Sequence, residues 1–187
     1  MSHYQAVNKM HQSAHGYIDK NLDPFAGDGG KIRGKRGKIV EQLIDYIWEH
    51  EFGGYTKTND YIIHTSRKGN VIKKALDRHL YTNDDTLVCC VEAKSYLDAC
   101  YMQRADWDSR IIKTHYPDVK CIVLALEKGL ADSTLGYILD EGALDDVFFL
   151  CSGQRSSSKP IFQKEFFKSI EEPMYDKFCN YLEKCII

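Results

Sequence analysis

The pattern of apolar and polar residues predicts a β-strand most clearly over residues 86–94. In a strand, successive side chains point to opposite faces. Both faces of this run are apolar at first. One of them then ends in Glu92 and Lys94, which share it with Val88 and Cys90. Because an unpaired carboxylate or ammonium is costly to bury, the pattern indicates either an ion pair or a ligand site at the carboxyl end of a buried strand.

The downstream pattern predicts a parallel sheet around this strand. Helical periodicity extends over residues 99–114, and the apolar residues 119–126 follow directly as a second buried strand. Strand, helix and strand in this order indicate a right-handed parallel crossover. Residues 147–150 predict another buried strand, and residues 173–187 predict a closing helix.

The upstream half predicts two helices and one strand or hairpin arm, followed by a basic segment. An amphipathic helix is expected over residues 37–51 and a shorter helix over residues 4–15. Residues 55–66 predict a strand or hairpin arm that carries Asp60, and the basic residues 70–80 are compatible with a helix. The whole pattern predicts an α/β fold with a central mixed sheet of about five strands flanked by helices.

Composition narrows the class of protein. A chain of 187 residues fits a single domain, in which residues 1–36 would form an N-terminal extension and a basic loop. Its 25 Lys and Arg are balanced by 27 Asp and Glu, so nucleic-acid binding would require a local basic patch. No run approaches the roughly 20 apolar residues of a membrane span, and the start lacks a signal-peptide pattern. We therefore expect a cytoplasmic protein without a membrane partner.

The seven cysteines include no C-x-x-C pair, which favours reduced core thiols over a zinc or redox site.

A glycine-spotted basic segment lies between Gly27 and Lys38. Part of it, from Gly29 to Lys35, matches a phosphate loop, but Arg36 stands where that motif needs a magnesium-binding Ser or Thr. No nucleotide cofactor is therefore expected. Cations in a flexible segment can bind DNA phosphates, although a solvated basic loop is the alternative. The predicted DNA-binding residues of this segment are Lys31, Arg33, Lys35, Arg36 and Lys38.

Asp60, Glu92 and Lys94 form a predicted catalytic set for phosphodiester hydrolysis. Mg²⁺ prefers oxygen ligands, so the carboxylates of Asp60 and Glu92 and the carbonyl of Ala93 are its predicted ligands. Lys94 would orient or help to deprotonate the attacking water and would stabilise the developing charge. Asp85 is a rival first acid, but it precedes Glu92 by seven residues on the same strand. At about 3.3 Å per residue, that separation is about 23 Å, which is too far for the two carboxylates to share one metal ion. A buried Glu–Lys pair in an unrelated α/β domain is the alternative.

Asp60 and the Glu-x-Lys motif at residues 92–94 resemble the PD-(D/E)xK nuclease superfamily. More narrowly, the run from Asp60 through Gln103 and Asp106 is similar to the cleavage domain of FokI-like type IIS restriction enzymes. This resemblance implies a restriction-endonuclease-like core and a Mg²⁺ cofactor. It also implies that Glu41 adds an acid from the helix before the first strand, and that Gln103 contacts the DNA backbone or lines the site.

The same resemblance implies a partner. Nothing in the chain resembles a helix-turn-helix or a zinc finger, and a single active site cuts a single strand. We therefore expect the small cleavage subunit of a heterodimeric type IIS restriction endonuclease. It would act on double-stranded DNA in the bacterial cytoplasm, together with a large, DNA-recognising nicking subunit. The alternatives are a self-contained homodimeric repair or junction nuclease and a non-catalytic DNA-binding or assembly module.

Overall fold

A mixed sheet of five strands lies at the centre of the computed structural model, which describes residues 1–154 and 167–186. Its strand order is β1-β4-β5-β6-β7, and β2 and β3 form a separate two-stranded sheet. In chain order, the elements are α1 (His3–Asn21), a π-helical segment (Pro24–Asp28), α2 (Gly29–Glu51), β1 (Tyr55–Lys57), β2 (Ile62–Thr65), β3 (Val71–Lys74), β4 (Arg78–Tyr81), β5 (Leu87–Leu97), α3 (Ala99–His115), β6 (Lys120–Lys128), α4 (Asp132–Glu141), β7 (Asp146–Phe149) and α5 (Glu172–Ile186).

The strand β5 is the central strand of the five-stranded sheet. It pairs antiparallel with β4 on one side and parallel with β6 on the other, where Cys90 lies opposite Cys121. The elements β5, α3 and β6 therefore form the predicted parallel crossover. Since β7 extends the parallel half and β1 extends the antiparallel half, the sheet is mixed. The predicted class, an α/β fold with a central mixed sheet of five strands flanked by helices, is confirmed.

Helices cover both faces of the sheet, because alternate strand residues point to opposite sides. On one face, Val91 and Ala93 of β5 pack in a hydrophobic cluster with residues of α1, α2 and α5. On the other face, Cys90 packs with Met102 of α3 and Ile138 of α4. No helix within the described ranges combines the length and the apolar character that crossing a membrane requires.

The structure corrects the prediction for two basic segments. Residues 70–80, which were expected to be helical, contain β3 and β4 instead. Pairing of these strands with β1, β2 and β5 outweighs their local helical preference. Residues 31–38, which were expected to form a flexible loop, belong to α2. There the buried side chains of Ile32 and Arg36 extend the core-facing side of the helix by a further turn.

Candidate active site

One lysine and three oxygen atoms converge on the carboxyl half of β5. The Nζ atom of Lys94 lies 2.6 Å from Glu92 Oε1 and 3.1 Å from Asp77 Oδ2. The same atom donates a hydrogen bond of 3.1 Å to the main-chain oxygen of Ala93. A single cation is thus held by oxygens from three residues, one of which precedes β4 and two of which lie on β5.

The register between β4 and β5 brings Asp77 to this motif. Arg78 lies opposite Val91 in the antiparallel ladder, so Asp77 comes next to Glu92 across the two strands. Side chains of facing residues in such a pair are close enough to interact directly. The N–H group of Ala93 donates a hydrogen bond of 2.9 Å to Asp77 Oδ2, which orients the carboxylate against β5.

Burial and neighbouring charges shift the pKa values of the ionisable groups of the site in opposite directions. The exposed fraction of the side chain is 9% for Glu92 and 34% for Asp77, so the site opens to solvent on the Asp77 side. Burial raises the pKa of Glu92, and the ammonium of Lys94 partly opposes that shift. Burial by itself would lower the pKa of Lys94, but the carboxylates of Glu92 and Asp77 outweigh this effect and raise it. Lys94 is therefore protonated at neutral pH.

The first turns of α3 line one side of the site. This helix begins after Asp98, whose side chain caps it by accepting a 2.9 Å hydrogen bond from the N–H of Tyr101. The ring of Tyr101 lies 5.9 Å from Lys94 Nζ, and the positive charge of Arg104 favours the ionised form of Glu92. Arg104 and its neighbour Gln103 are exposed. The cation of Arg104, which is suited to a phosphate, thus lies near the Glu92 carboxylate.

Asp60 lies apart from Glu92 and Lys94. Its Oδ2 atom accepts a 2.5 Å hydrogen bond from the hydroxyl of Tyr81 and lies 3.6 Å from His79 Nδ1. Neither Glu92 nor Lys94 is among the hydrogen-bond or ion-pair partners of Asp60 within the described residues. The structure therefore places Asp77, and not Asp60, in the position that the sequence analysis gave to the first acid.

Sequence analysis missed Asp77 because residues 70–80 were expected to be helical. A signal for it does exist in the sequence. Asp77 and Glu92 are each seven residues from the nearer aspartate of the turn at Asp84 and Asp85. In a hairpin, residues equally distant from the turn lie opposite each other. Interpreting residues 76–81 as the other arm of that hairpin would have paired the two acids.

Glu41 lies on the other side of the sheet from the Asp77 carboxylate. Its Oε2 atom is 2.7 Å from Arg78 Nη1 and 2.7 Å from Lys38 Nζ. The same guanidinium also binds Asp45, with 2.6 Å between Nε and Oδ1. Arg78 and Asp77 are consecutive, so their side chains point to opposite faces, and Arg78 points towards α2. The structure therefore does not bring Glu41 to the oxygens around Lys94.

The predicted DNA-binding cations of α2 do not form one exposed surface. Lys31, Lys35 and Lys38 are exposed, and Lys31 forms an ion pair of 2.8 Å with Asp28. The side chain of Arg33 lies outside the described set. Arg36 is only 4% exposed, and its guanidinium lies 3.8 Å from Glu127 Oε2. Its prediction as a solvent-facing DNA contact is therefore corrected, because Arg36 lies on the core-facing side of the helix.

The oxygens of Asp77, Glu92 and Ala93 suit Mg²⁺. In the part of the chain that the structure describes, no group of three or more His, Cys, Asp or Glu side chains is arranged to hold a metal ion. Protein-bound Mg²⁺ usually keeps several waters and uses only one or two carboxylates, so a larger cluster is not required. The position of the Lys94 ammonium shows that a cation is favoured where these three oxygens converge.

Comparisons with known proteins give a sequence match and a structural match. No family model matches the chain. The chain is 21% identical, over an alignment of 223 positions, to the type II restriction enzyme DdeI of Desulfomicrobium norvegicum, and the alignment covers 96% of this chain and 92% of that enzyme. It also superposes on a chain of the native BbvCI A2B2 tetramer with a TM-score of 0.47 and 10% identity, over 95% of this chain and 86% of that chain. The sequence is thus similar to a type II restriction enzyme along nearly its whole length.

Proposed function

We propose that this protein is a type II restriction endonuclease chain that hydrolyses phosphodiester bonds in double-stranded DNA with Mg²⁺ as its cofactor. The observation that carries the proposal is the contact of the Lys94 ammonium with oxygens of Asp77, Glu92 and Ala93 at the carboxyl half of a buried strand. The end-to-end similarity to a type II restriction enzyme supports the reaction class. Asp77 takes the role that the sequence analysis gave to Asp60.

Each residue of the set has a distinct role in this proposal. Asp77, Glu92 and the Ala93 carbonyl would hold the cofactor, and Mg²⁺, when bound, would supply a Lewis acid for activation of water and polarisation of the scissile phosphate. Lys94 is protonated, so it donates hydrogen bonds and stabilises the negative charge that develops on the phosphate. Gln103 and Arg104, exposed at the start of α3, bind the adjoining DNA backbone. Glu41 has a structural role, because Arg78 and Lys38 bind its carboxylate.

Cleavage of both DNA strands requires two such sites, and two assemblies provide them. In the first, this chain is the small cleavage subunit of a heterodimeric type IIS enzyme, and a large DNA-recognising subunit supplies the second site. In the second, two copies of this chain form a self-contained homodimer. The DdeI alignment covers 96% of this chain and 92% of that enzyme, and the cleavage assay below distinguishes the two assemblies.

A plasmid cleavage assay with the purified chain tests the proposed function. We expect site-specific cuts that require Mg²⁺, that disappear in Asp77→Asn and Lys94→Ala, and that persist in Asp60→Asn. Linear product from the chain alone identifies the homodimer, whereas cutting that begins only when a protein recovered from the native host is added identifies the subunit. Unchanged cutting by Lys94→Ala would show that Lys94 is not catalytic. Failure of the wild type to cut with Mg²⁺, with and without that host protein, would contradict the nuclease proposal.

A further inference from the structure

The two-stranded sheet of β2 and β3, here called the ribbon, is separate from the central sheet. Ile63 lies opposite Lys73 and Thr65 opposite Val71 in its antiparallel ladder. The turn between the strands contains Arg67, Lys68 and Gly69, and Gly69 has a positive φ of 80°. A glycine adopts this conformation without steric cost, which allows the tight turn that joins the two strands.

One face of the ribbon is anchored to the protein. Ile62 is buried in the same hydrophobic cluster as Met102 of α3. Lys74, opposite Ile62 in the ladder, forms an ion pair of 2.6 Å with Asp108 of α3. These contacts fix the ribbon against α3, whose first turns line the candidate active site, and only two residues separate the end of β3 from Asp77. The ribbon is therefore held beside the catalytic carboxylates.

The other face of the ribbon is exposed and has the composition of a nucleic-acid surface. Ile63 and Val71 are 59% and 60% exposed, and Thr65 and Lys73 are exposed with them. Arg67 and Lys68 extend the positive charge to the turn, and the chain carries no Asp or Glu from residue 61 to residue 76. The chain as a whole has a net charge of −2, so this cationic surface is a local feature. Cations without acids beside them complement a phosphate backbone.

We propose that the ribbon enters the major groove of the DNA duplex and selects the sequence that is cut; this inference rests on the nuclease function proposed above. The major groove is about 12 Å wide and admits a two-stranded β-ribbon. Arg67 and Lys68 at the turn, with Lys73, bind phosphates and set the position of the protein on the duplex. Thr65, Ile63 and Val71 face the base edges, where methyl groups distinguish thymine by apolar contact.

The salt dependence of DNA binding tests the electrostatic part of this proposal. The probe is a short labelled duplex of mixed sequence, and affinity is measured without Mg²⁺ over a series of salt concentrations. Each phosphate contact contributes about 0.9 to the slope of log affinity against log salt concentration. Replacement of Arg67, Lys68 and Lys73 by Ala should therefore reduce the slope by about 2 to 3. A matched control replaces three exposed lysines of α1 and α5, namely Lys9, Lys20 and Lys184, and should retain the wild-type slope.

The positions of the cuts test sequence selection. The double variant Ile63→Ala and Val71→Ala keeps all charges, so it should retain the salt slope while its cut sites, mapped by sequencing, become less specific. A wild-type salt dependence of binding in the triple variant, or unchanged cut sites in the double variant, would show that the ribbon is not the recognition element. A change in oligomeric state on light scattering, with DNA binding unchanged, would instead make the ribbon a protein interface and would equally overturn the proposal.

The same measurements separate the ribbon from the nuclease function. A wild-type chain that binds the duplex with a ribbon-dependent slope, but cuts no DNA with Mg²⁺ either alone or with the protein recovered from the native host, would refute the nuclease alone. A wild-type chain that cuts specific sites, with ribbon variants that bind and cut as it does, would refute the ribbon alone. A wild-type chain with no affinity for the duplex would refute the ribbon whatever the cleavage assay shows.

Discussion

Replacing Asp77 or Asp60 by asparagine, one at a time, tests which of them is the first acidic residue of the active site. Asp77 is the choice that the structure supports, and Asp60 is the one predicted from the sequence. Asp77→Asn removes a negative charge from the oxygens around Lys94 but keeps a side-chain oxygen that can accept the 2.9 Å hydrogen bond from Ala93 N–H. Asp60→Asn removes a charge of the same sign from a side chain that the Tyr81 hydroxyl binds. The two variants are therefore matched in charge and size.

The expected loss in Asp77→Asn follows from Coulomb's law. Mg²⁺ lies about 2.1 Å from a carboxylate oxygen that binds it. Because Asp77 is partly exposed, the dielectric constant of water, about 80, sets a lower limit on the energy. For a double and a single charge at that distance, this limit is about 4 kcal/mol, or about a thousandfold in affinity or rate. Asp60→Asn removes no proposed ligand, so its rate should remain close to that of the wild type.

Single-turnover cleavage of plasmid DNA at several Mg²⁺ concentrations measures this effect. Asp77→Asn should cut about a thousandfold more slowly than the wild type at limiting Mg²⁺. Thermal unfolding without metal should show that both variants remain folded. The reverse ranking, in which Asp60→Asn loses activity and Asp77→Asn retains it, would contradict the assignment of Asp77 as the first acid. Asp60 would then be the first acid, and the β4–β5 register would not define the metal site.

Three further predictions follow from other contacts. Lys94→Ala should lower the single-turnover rate by about 100- to 1000-fold, because the ammonium no longer stabilises the developing charge; unchanged duplex affinity in the absence of Mg²⁺ would separate this effect from a loss of binding. Burial lowers the pKa of His11 from 6.5 to about 4, so the unfolded chain binds the extra proton between these values. His11 should therefore contribute a fall of about 2 kcal/mol in the free energy of unfolding, measured with urea, from pH 7 to pH 5, and His11→Gln should remove that contribution. Burial also lowers the pKa values of His15 and His79, so a further dependence of the same sign should remain in the variant. Arg78→Met leaves two carboxylates of α2 without their buried partner, which should cost about 2 to 3 kcal/mol of unfolding free energy, since those acids are partly exposed; a cost below about 0.5 kcal/mol would contradict this account.

The central part of the fold can be predicted from the sequence alone. Period-two alternation is a local property, so an apolar run that ends in Glu92 and Lys94 identifies β5 without knowledge of its neighbours. The helical period of residues 99–114 and the apolar run of residues 119–126 likewise define α3 and β6. These patterns also define the crossover, because parallel strands require such a connection.

The acid that lies beside Glu92 and Lys94 depends on how β4 pairs with β5. Asp60, Asp77 and Asp85 have the same local chemistry, and the choice between them depends on the register of β4 against β5. This register follows from the hairpin that joins β4 to β5, and a helical interpretation of residues 70–80 concealed it. The burial of Arg36 and the exposure of the ribbon are likewise properties of packing. A sequence pattern indicates that a side chain lies on one face of an element, and tertiary contacts determine whether that face meets the core, a partner strand or solvent.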